Sequence, residues 1–332
     1  MKILVTGGAG YVGSHAVREL LKNGYEVVVY DNLSRGFQES LSKDVKFVHG
    51  DLNNPELLEH VFNSNKFDAV IDFAGHLEVE ESMRNPEKFY LNNVISLLNL
   101  LKSMHTHNVK TIVYSSSASV YGQPKEIPVS EAHINDTNNV YGETKAIAER
   151  MLKFFDNIYG IKSISLRYFN ASGADSDGEI GEAHNPETHL IPIVFNTALG
   201  KRRHISIYGT DYPTKDGTAV RDYIHVNDLS QVHILAMERL ISEGKSNIFN
   251  VGTGKGYSVN EILETARKIT GCEIPSIIGS RRFGDPAELV AGVNKIKGEL
   301  GWEPRYSDLK TIMETSWNWH KNHPNGYEKQ SS

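Results

Sequence analysis

The sequence predicts an α/β protein built on a doubly wound parallel sheet, with a smaller mixed α/β lobe in its C-terminal half. Three observations point there. Short apolar runs alternate with amphipathic stretches through the first half, a glycine-rich segment follows the first of those runs, and 332 residues exceed the about 250–300 that one core usually fills. Taken in order, residues 2–6 read as a buried strand, 12–23 as a helix stopped by Gly24, and 26–30 as a valine-rich second strand. Residues 45–49, 69–73 and 111–114 read as three more strands, separated by helical patterns at 55–63 and 87–107. A helical pattern at 140–159 precedes a sixth strand at 162–168, and the run 246–251, closed by Gly252-Thr253-Gly254, returns to the sheet as a seventh. Between the last two strands, residues 171–212 are richer in Gly, Asp, His and Pro and carry weaker periodicity. A boundary is therefore expected near residue 170. Residues 1–170, with the returning strand near 246–252, are expected to form the larger domain, and 171–332 most of a second lobe. The stretch after Tyr327 is expected to fray.

Composition narrows the classes of function. Hydrophobic residues at 39% and charged residues at 23% are ordinary for a chain that buries a core. The net charge of −6 leaves no basic footprint, and Arg202-Arg203 and Arg281-Arg282 are isolated pairs, which argues against nucleic-acid binding. No apolar run reaches the about 18 residues of a membrane span, and Met1 to Gly7 holds too few apolar residues for a signal peptide. With a single cysteine, Cys272, the expected location is the cytoplasm. Of the 14 histidines, His105-x-His107 and His184-x4-His189 have ligand-like spacing but lack further ligands in the sequence, so no metal site is expected.

The strongest local motif is Thr6-Gly7-Gly8-Ala9-Gly10-Tyr11-Val12-Gly13, between the first strand and the first helix. Glycines at 7, 10 and 13 permit a tight turn and let a pyrophosphate approach the exposed N–H groups of the helix N-terminus. That context makes a dinucleotide cofactor the expectation and identifies the sheet as Rossmann-type. Asp31, about 20 residues on at the end of the second strand, can accept hydrogen bonds from a ribose and repels a 2′-phosphate, which favours NAD over NADP. Arg35 nearby partly offsets that repulsion. Asp51 reads equally as an adenine contact or as a helix cap before Pro55.

A phenol and an ammonium four residues apart on a helix lie on one face, an arrangement suited to removing an alcohol proton. The chain holds three such pairs, Tyr121/Lys125, Tyr141/Lys145 and Tyr306/Lys310. Position selects the middle one: Pro124 opposes a helix at the first, and the third lies in the C-terminal lobe. Tyr141 also follows the hydroxyl-rich end of the fifth strand, Tyr114-Ser115-Ser116-Ser117-Ala118-Ser119, where ligands of doubly wound sheets bind. With an ammonium about 4 Å away at an effective dielectric near 20, the phenolate gains about 4 kcal/mol, and on that arithmetic Lys145 alone draws the pKa of Tyr141 down.

Several further segments accompany these: Asp31-Asn32-Leu33, Gly50-Asp51-Leu52, Phe73-Ala74-Gly75, Arg167-Tyr168-Phe169-Asn170, Tyr208-Gly209-Thr210-Asp211-Tyr212-Pro213-Thr214 and Arg221-Asp222-Tyr223-Ile224-His225-Val226. Over nearly its whole length the chain thus resembles the extended short-chain dehydrogenase/reductases and, within them, the UDP-glucose 4-epimerases. The resemblance implies that Tyr11, Val12, Asp31, Asn32, Asp51, Leu52, Phe73, Ala74, Asn92, Lys145 and Phe169 line NAD. It implies too that Ser117, Tyr141, Asn170, Leu190, Tyr208, Arg221, Arg282 and Asp285 face a UDP-sugar held by the second lobe, the two arginines offering planar forks to its phosphates. Tyr141, assisted by Ser117 and Lys145, would then be the base of a reversible oxidation at the sugar C4. A homodimer through the helices at 87–107 and 140–159 is implied as well. Where relatives carry a lysine two residues after Gly75, this chain has His76-Leu77 followed by Glu78-Val79-Glu80-Glu81. A nucleotide-sugar 4,6-dehydratase, an epimerase of UDP-GlcNAc and a non-catalytic NAD sensor are the alternatives, although Ser117-Ala118-Ser119 lacks the carboxylate typical of the dehydratases.

Overall fold

The computed structural model describes residues 1–282 and 284–327, so the expected fraying after Tyr327 lies outside the described residues. β1 (Lys2–Thr6) and β2 (Glu26–Asp31) are buried almost throughout because helices cover both faces of a parallel sheet, and α1 (Tyr11–Lys22) makes the crossover between them. The alternation continues through β3 (Lys46–His49), α2 (Pro55–Ser64) and β4 (Ala69–Asp72). Asn54 starts α2 by accepting the Leu57 N–H, with Pro55 as the first helical residue. After β4 come α3 (Val79–Arg84), α4 (Pro86–Tyr90) and α5 (Ser96–Thr106), then β5 (Thr111–Ser117), α6 (Val140–Tyr159) and β6 (Lys162–Tyr168).

Beyond β6 the elements are β7 (Asn170–Ser172), α7 (Leu190–Ala198), β8 (Ile205–Tyr208), β9 (Val220–His225), α8 (Val226–Glu243) and β10 (Asn247–Val251). They are followed by β11 (Gly256–Ser258), α9 (Val259–Thr270), β12 (Ser276–Gly279), β13 (Glu288–Leu289), α10 (Asn294–Leu300) and α11 (Leu309–Asn322). The central sheet has the order β10-β6-β5-β4-β1-β2-β3, so the run at 246–251 does return to it as the seventh strand. Strand order reverses between β1 and β4, which opens a crevice beyond their carboxyl ends.

The chain divides into two units, the first made of residues 1–122, 134–168 and 230–249 and the second of 123–133, 169–229 and 250 onward. The first unit buries a core that includes Leu4, Val28, Val70, Leu100, Ile112 and Leu152. In the second, β9 joins β7, β11 and β13, β8 pairs with β12, and Ile191, Phe195, Ile207, Tyr223, Ile262 and Met313 pack together. Parallel and antiparallel pairs coexist there, as a mixed lobe requires.

Two elements differ from their expected form. The helical pattern at 87–107 is interrupted by a π-helical turn at Leu91–Ile95, which widens the helix where Asn92 and Asn93 sit. β5 runs on to Ser117, because Ser115, Ser116 and Ser117 pair in register with Leu166, Arg167 and Tyr168. Those serines therefore alternate across the sheet instead of forming a turn.

Candidate active site

The dinucleotide loop is set by backbone packing. Gly7 adopts φ +67, and a Cβ there would lie 2.6 Å from the Ala74 nitrogen; at Gly13 it would lie 2.2 Å from the Gly7 oxygen. Neither position admits a side chain without displacing backbone. Gly10 caps α1 with no side-chain hydrogen bond, and Tyr11, Val12 and Gly13 open a first turn with no acidic residue, an arrangement that suits an anion at the positive end of the helix.

Asp31 ends β2 with one oxygen accepting the Ala9 N–H at 2.9 Å and the other the Leu33 N–H at 2.8 Å. Burial raises its pKa, opposed by those two bonds. Each carboxylate oxygen keeps a lone pair for a further donor. Asn32 donates to Asp51 Oδ2 at 2.8 Å, and Asp51 is held below the usual carboxylate range because its bonds from Asn53 and Asn32 outweigh burial. Asp51 therefore does not cap α2; Asn54 does. Leu52 is buried beside it, and Phe73 and Ala74 follow β4, the Phe73 ring 4.6 Å from that of His233. Arg35 Nη2 lies 2.6 Å from Glu78 and 3.3 Å from Glu81, so its charge is already balanced and the repulsion of a 2′-phosphate by Asp31 stands. Glu78 and Glu81 of the acidic run after β4 thus serve as the partners of Arg35.

Around Tyr141, itself only partly buried, the first unit assembles a polar cluster. Asn139 caps α6 by accepting the Gly142 N–H at 2.8 Å. Gly142 lets the helix start press on the short 3₁₀ turn after β5, since a Cβ there would lie 2.4 Å from the Ser119 oxygen. Tyr141 is thereby brought to Ser117, whose hydroxyl hydrogen-bonds the phenol and accepts the Ser119 N–H at 3.1 Å. Lys145, 5% exposed, donates from Nζ to the Ser115 carbonyl at 2.8 Å and lies 4.8 Å from the Tyr114 ring and 6.0 Å from that of Tyr141.

An ammonium about 4 Å from the phenol at an effective dielectric near 20 favours the phenolate by about 4 kcal/mol. The structure reverses that balance. Burial pushes the pKa of Tyr141 up, the Ser117 hydrogen bond pulls it back in part, and Glu78 pushes it further up. Lys145 is itself lowered to about 8, by burial first, against the opposing pull of Asp72 and Glu149. With the protein alone, then, Tyr141 is a protonated phenol and Lys145 an ammonium close to its titration range.

Three supporting groups were not legible in the sequence. Asn93, 2% exposed, accepts the His76 N–H at 2.8 Å and donates to the His76 carbonyl and the Thr144 hydroxyl, tying the segment after β4 to α6. Its neighbour Asn92, the expected cofactor contact, donates to Lys88 O at 3.1 Å. Glu149 takes a two-pronged contact from Arg167 at 2.8 and 2.5 Å and a bond from Ser116 at 2.6 Å, while Arg167 also donates to the Tyr121 hydroxyl. The hydroxyl pair Ser115/Tyr168 is also hydrogen-bonded. Only spacing along α6 hinted at Glu149, four residues after Lys145.

The other expected residues belong to the second unit. Phe169 is buried, its N–H donating to Val251 O at 3.3 Å, and Asn170 opens β7 with its side chain exposed. Leu190 is the first residue of α7. Tyr208 ends β8 at 41% exposure, with the Arg282 guanidinium 4.1 Å from its ring centroid. Arg221 on β9 lies 3.3 Å from Asp285, whereas Arg281 is paired with Asp211 at 2.8 Å. Buried Asp222 accepts N–H groups of Thr253, Gly254 and Ala291 and so fixes the loops on either side of β9.

Residues 3–252 match the NAD dependent epimerase/dehydratase family. A UDP-glucose 4-epimerase of Halalkalibacterium halodurans is 50% identical over 331 residues, spanning 100% of this chain and 99% of its own. Among solved structures, a UDP-glucose 4-epimerase superposes with a TM-score of 0.97 at 45% identity, covering 99% of this chain and 100% of its own. The Bifidobacterium longum UDP-glucose 4-epimerase, in complex with NAD+ and UDP, gives 0.94 at 39% identity over 98% and 100%.

Proposed function

The chain belongs to the NAD dependent epimerase/dehydratase family, and from that premise we propose that it interconverts UDP-galactose and UDP-glucose by reversible oxidation at C4 with tightly bound NAD. The observation that carries this reading is the Ser117-Tyr141-Lys145 cluster at the carboxyl end of β5, in the same unit as an uncapped, glycine-led helix N-terminus. That terminus fits a pyrophosphate and Asp31 retains acceptor capacity for a ribose, so the first unit suits NAD.

NAD, once bound, supplies a reversible two-electron oxidation of the sugar alcohol. The chain's own residues handle the proton. Tyr141, having first released its own phenol proton to water, would take it from the C4 hydroxyl as the phenolate, which the Lys145 ammonium favours and the Ser117 hydroxyl hydrogen-bonds. The 4-keto sugar would turn in the site to present the other face of C4 for reduction, and Tyr141 would return the proton to the C4 oxygen, so the configuration at C4 inverts. Because oxidation and reduction cancel in each cycle, NAD stays bound. In the second lobe Arg221 and Arg282 take the two phosphates, with Asn170, Leu190, Tyr208 and Asp285 around the nucleotide and sugar. Residues 1–170 with the strand near 246–252 hold NAD, and 171–332 carry most of the UDP-sugar contacts.

The protein acts as a homodimer in the cytoplasm. Tyr90, Leu91 and Ile95, and Phe154, Ile158 and Tyr159 on α6, leave 38–67% of their surface exposed, which supports pairing through those two helices. No helix among the described residues is long and apolar enough to cross a membrane.

The decisive experiment incubates purified protein with UDP-galactose and no added NAD and measures UDP-glucose. Conversion without added cofactor is expected; none, even with NAD supplied, would refute the activity. Tyr141→Phe should fold and lose turnover, and retention of near-normal turnover would refute its role as base.

A further inference from the structure

The segment between β7 and α7 gathers two imidazoles and two carboxylates outside the catalytic set. The sequence showed His184 and His189 without further ligands. Folding adds Glu182 and Glu187, so that one donor atom from each of the four lies within 4.8 Å of the others. His184 Nδ1 is 3.2 Å from Glu182 Oε1 and 3.7 Å from Glu187 Oε2, and His189 Nδ1 contacts Glu182 Oε1. Donors about 2.0–2.1 Å from a tetrahedral ion stand about 3.3–3.4 Å from one another, so the two His184 separations bracket that spacing.

The carboxylates are held in place by the fold. Glu182 is 4% exposed and its carbonyl accepts the buried Trp319 indole N–H at 3.0 Å. Glu187 Oε1 accepts the backbone N–H groups of Thr188 and His189 at 2.8 and 2.9 Å, leaving Oε2 to face His184. Such outer bonds orient ligands before an ion arrives. The His189 side chain, 39% exposed, offers the way in by swinging off Glu182.

We propose that Glu182, His184, Glu187 and His189 form a binding site for a first-row divalent metal ion such as zinc. Two imidazole nitrogens with two carboxylate oxygens make a donor set that suits zinc or cobalt, whereas magnesium and calcium prefer oxygen alone. The two carboxylates balance the charge of the ion. It would clamp the 182–189 segment onto the start of α7, whose cap is His189.

The test titrates the intact protein with cobalt(II), followed by calorimetry and by the visible absorption of four-coordinate cobalt, and with zinc followed by melting temperature. One equivalent per chain with a tetrahedral spectrum is expected, unchanged in Cys272→Ser and weakened at least about tenfold in His184→Asn and in His189→Asn. Zinc should raise the melting temperature of the parent protein, a readout that stands even if a histidine variant fails to fold. Absence of stoichiometric cobalt binding, or binding in either histidine variant as tight as in the parent protein, or an equal response to magnesium, would overturn the proposal.

Discussion

Replacing Lys145 by Met keeps the reach of the side chain and removes its charge. Taking the 6.0 Å between Nζ and the Tyr141 ring as the charge separation, Coulomb's law at an effective dielectric near 20 gives about 2.8 kcal/mol, a factor of about 100 in the phenolate population. The sign is unambiguous: a positive charge favours the phenolate, and burial already works against it. Since burial brings Lys145 down to about 8, the helpful ammonium is present at neutral pH and is lost as pH rises through that value. Turnover of UDP-galactose by Lys145→Met should therefore fall about 100-fold at pH 7, and the deficit should shrink between pH 8 and 9 as the parent enzyme loses its own ammonium. NAD content must be measured on the same samples, because Lys145 is also expected to line the cofactor. A variant with full NAD content whose deficit is absent at pH 7, or constant across pH, would refute a charge-based role.

The same residue predicts a stability signature. Folded Lys145 loses its proton near pH 8 and the unfolded chain near 10.5, so between those values the folded state binds fewer protons and stability rises with pH; urea unfolding should show the parent gaining about 3 kcal/mol over Lys145→Met across that window. Gly142→Ala places a methyl 2.4 Å from the Ser119 oxygen, so a loss of about 1–3 kcal/mol in urea unfolding should accompany reduced turnover; an unchanged kcat would show that Tyr141 tolerates the shift. Arg167→Met leaves the buried Glu149 carboxylate without its two-pronged partner and should cost about 3–5 kcal/mol, most of it restored in the double variant with Glu149→Leu.

Much of the architecture was legible because it depends on local pattern. Apolar runs with both faces covered, the Gly7-Gly10-Gly13 turn and Asp31 at a strand end are short-range signals, and the observed β1-α1-β2 unit carries all of them. The endpoint of β5 was misplaced by three residues, since serines read as turn formers until a partner strand accepts their backbone groups. The π-helical turn that carries Asn93 left no mark in the periodicity, because Glu87 to His107 keeps a helical apolar pattern on both sides of it. Asn93 and Glu149 gain their meaning only from partners 51 and 18 residues away.

The sequence by itself determined the doubly wound sheet, the dinucleotide loop and which tyrosine and lysine meet on one helical face, because helix and strand periods act over a few residues. Tertiary structure alone decided the electrostatics. It set Lys145 against the Ser115 carbonyl, buried the Tyr141 phenol so that its pKa rises, bound Arg35 to Glu78 and Glu81, and drew Glu182 and Glu187 to two histidines that looked isolated. Desolvation and pairing depend on what surrounds a group in space, and spacing along the chain does not contain that information.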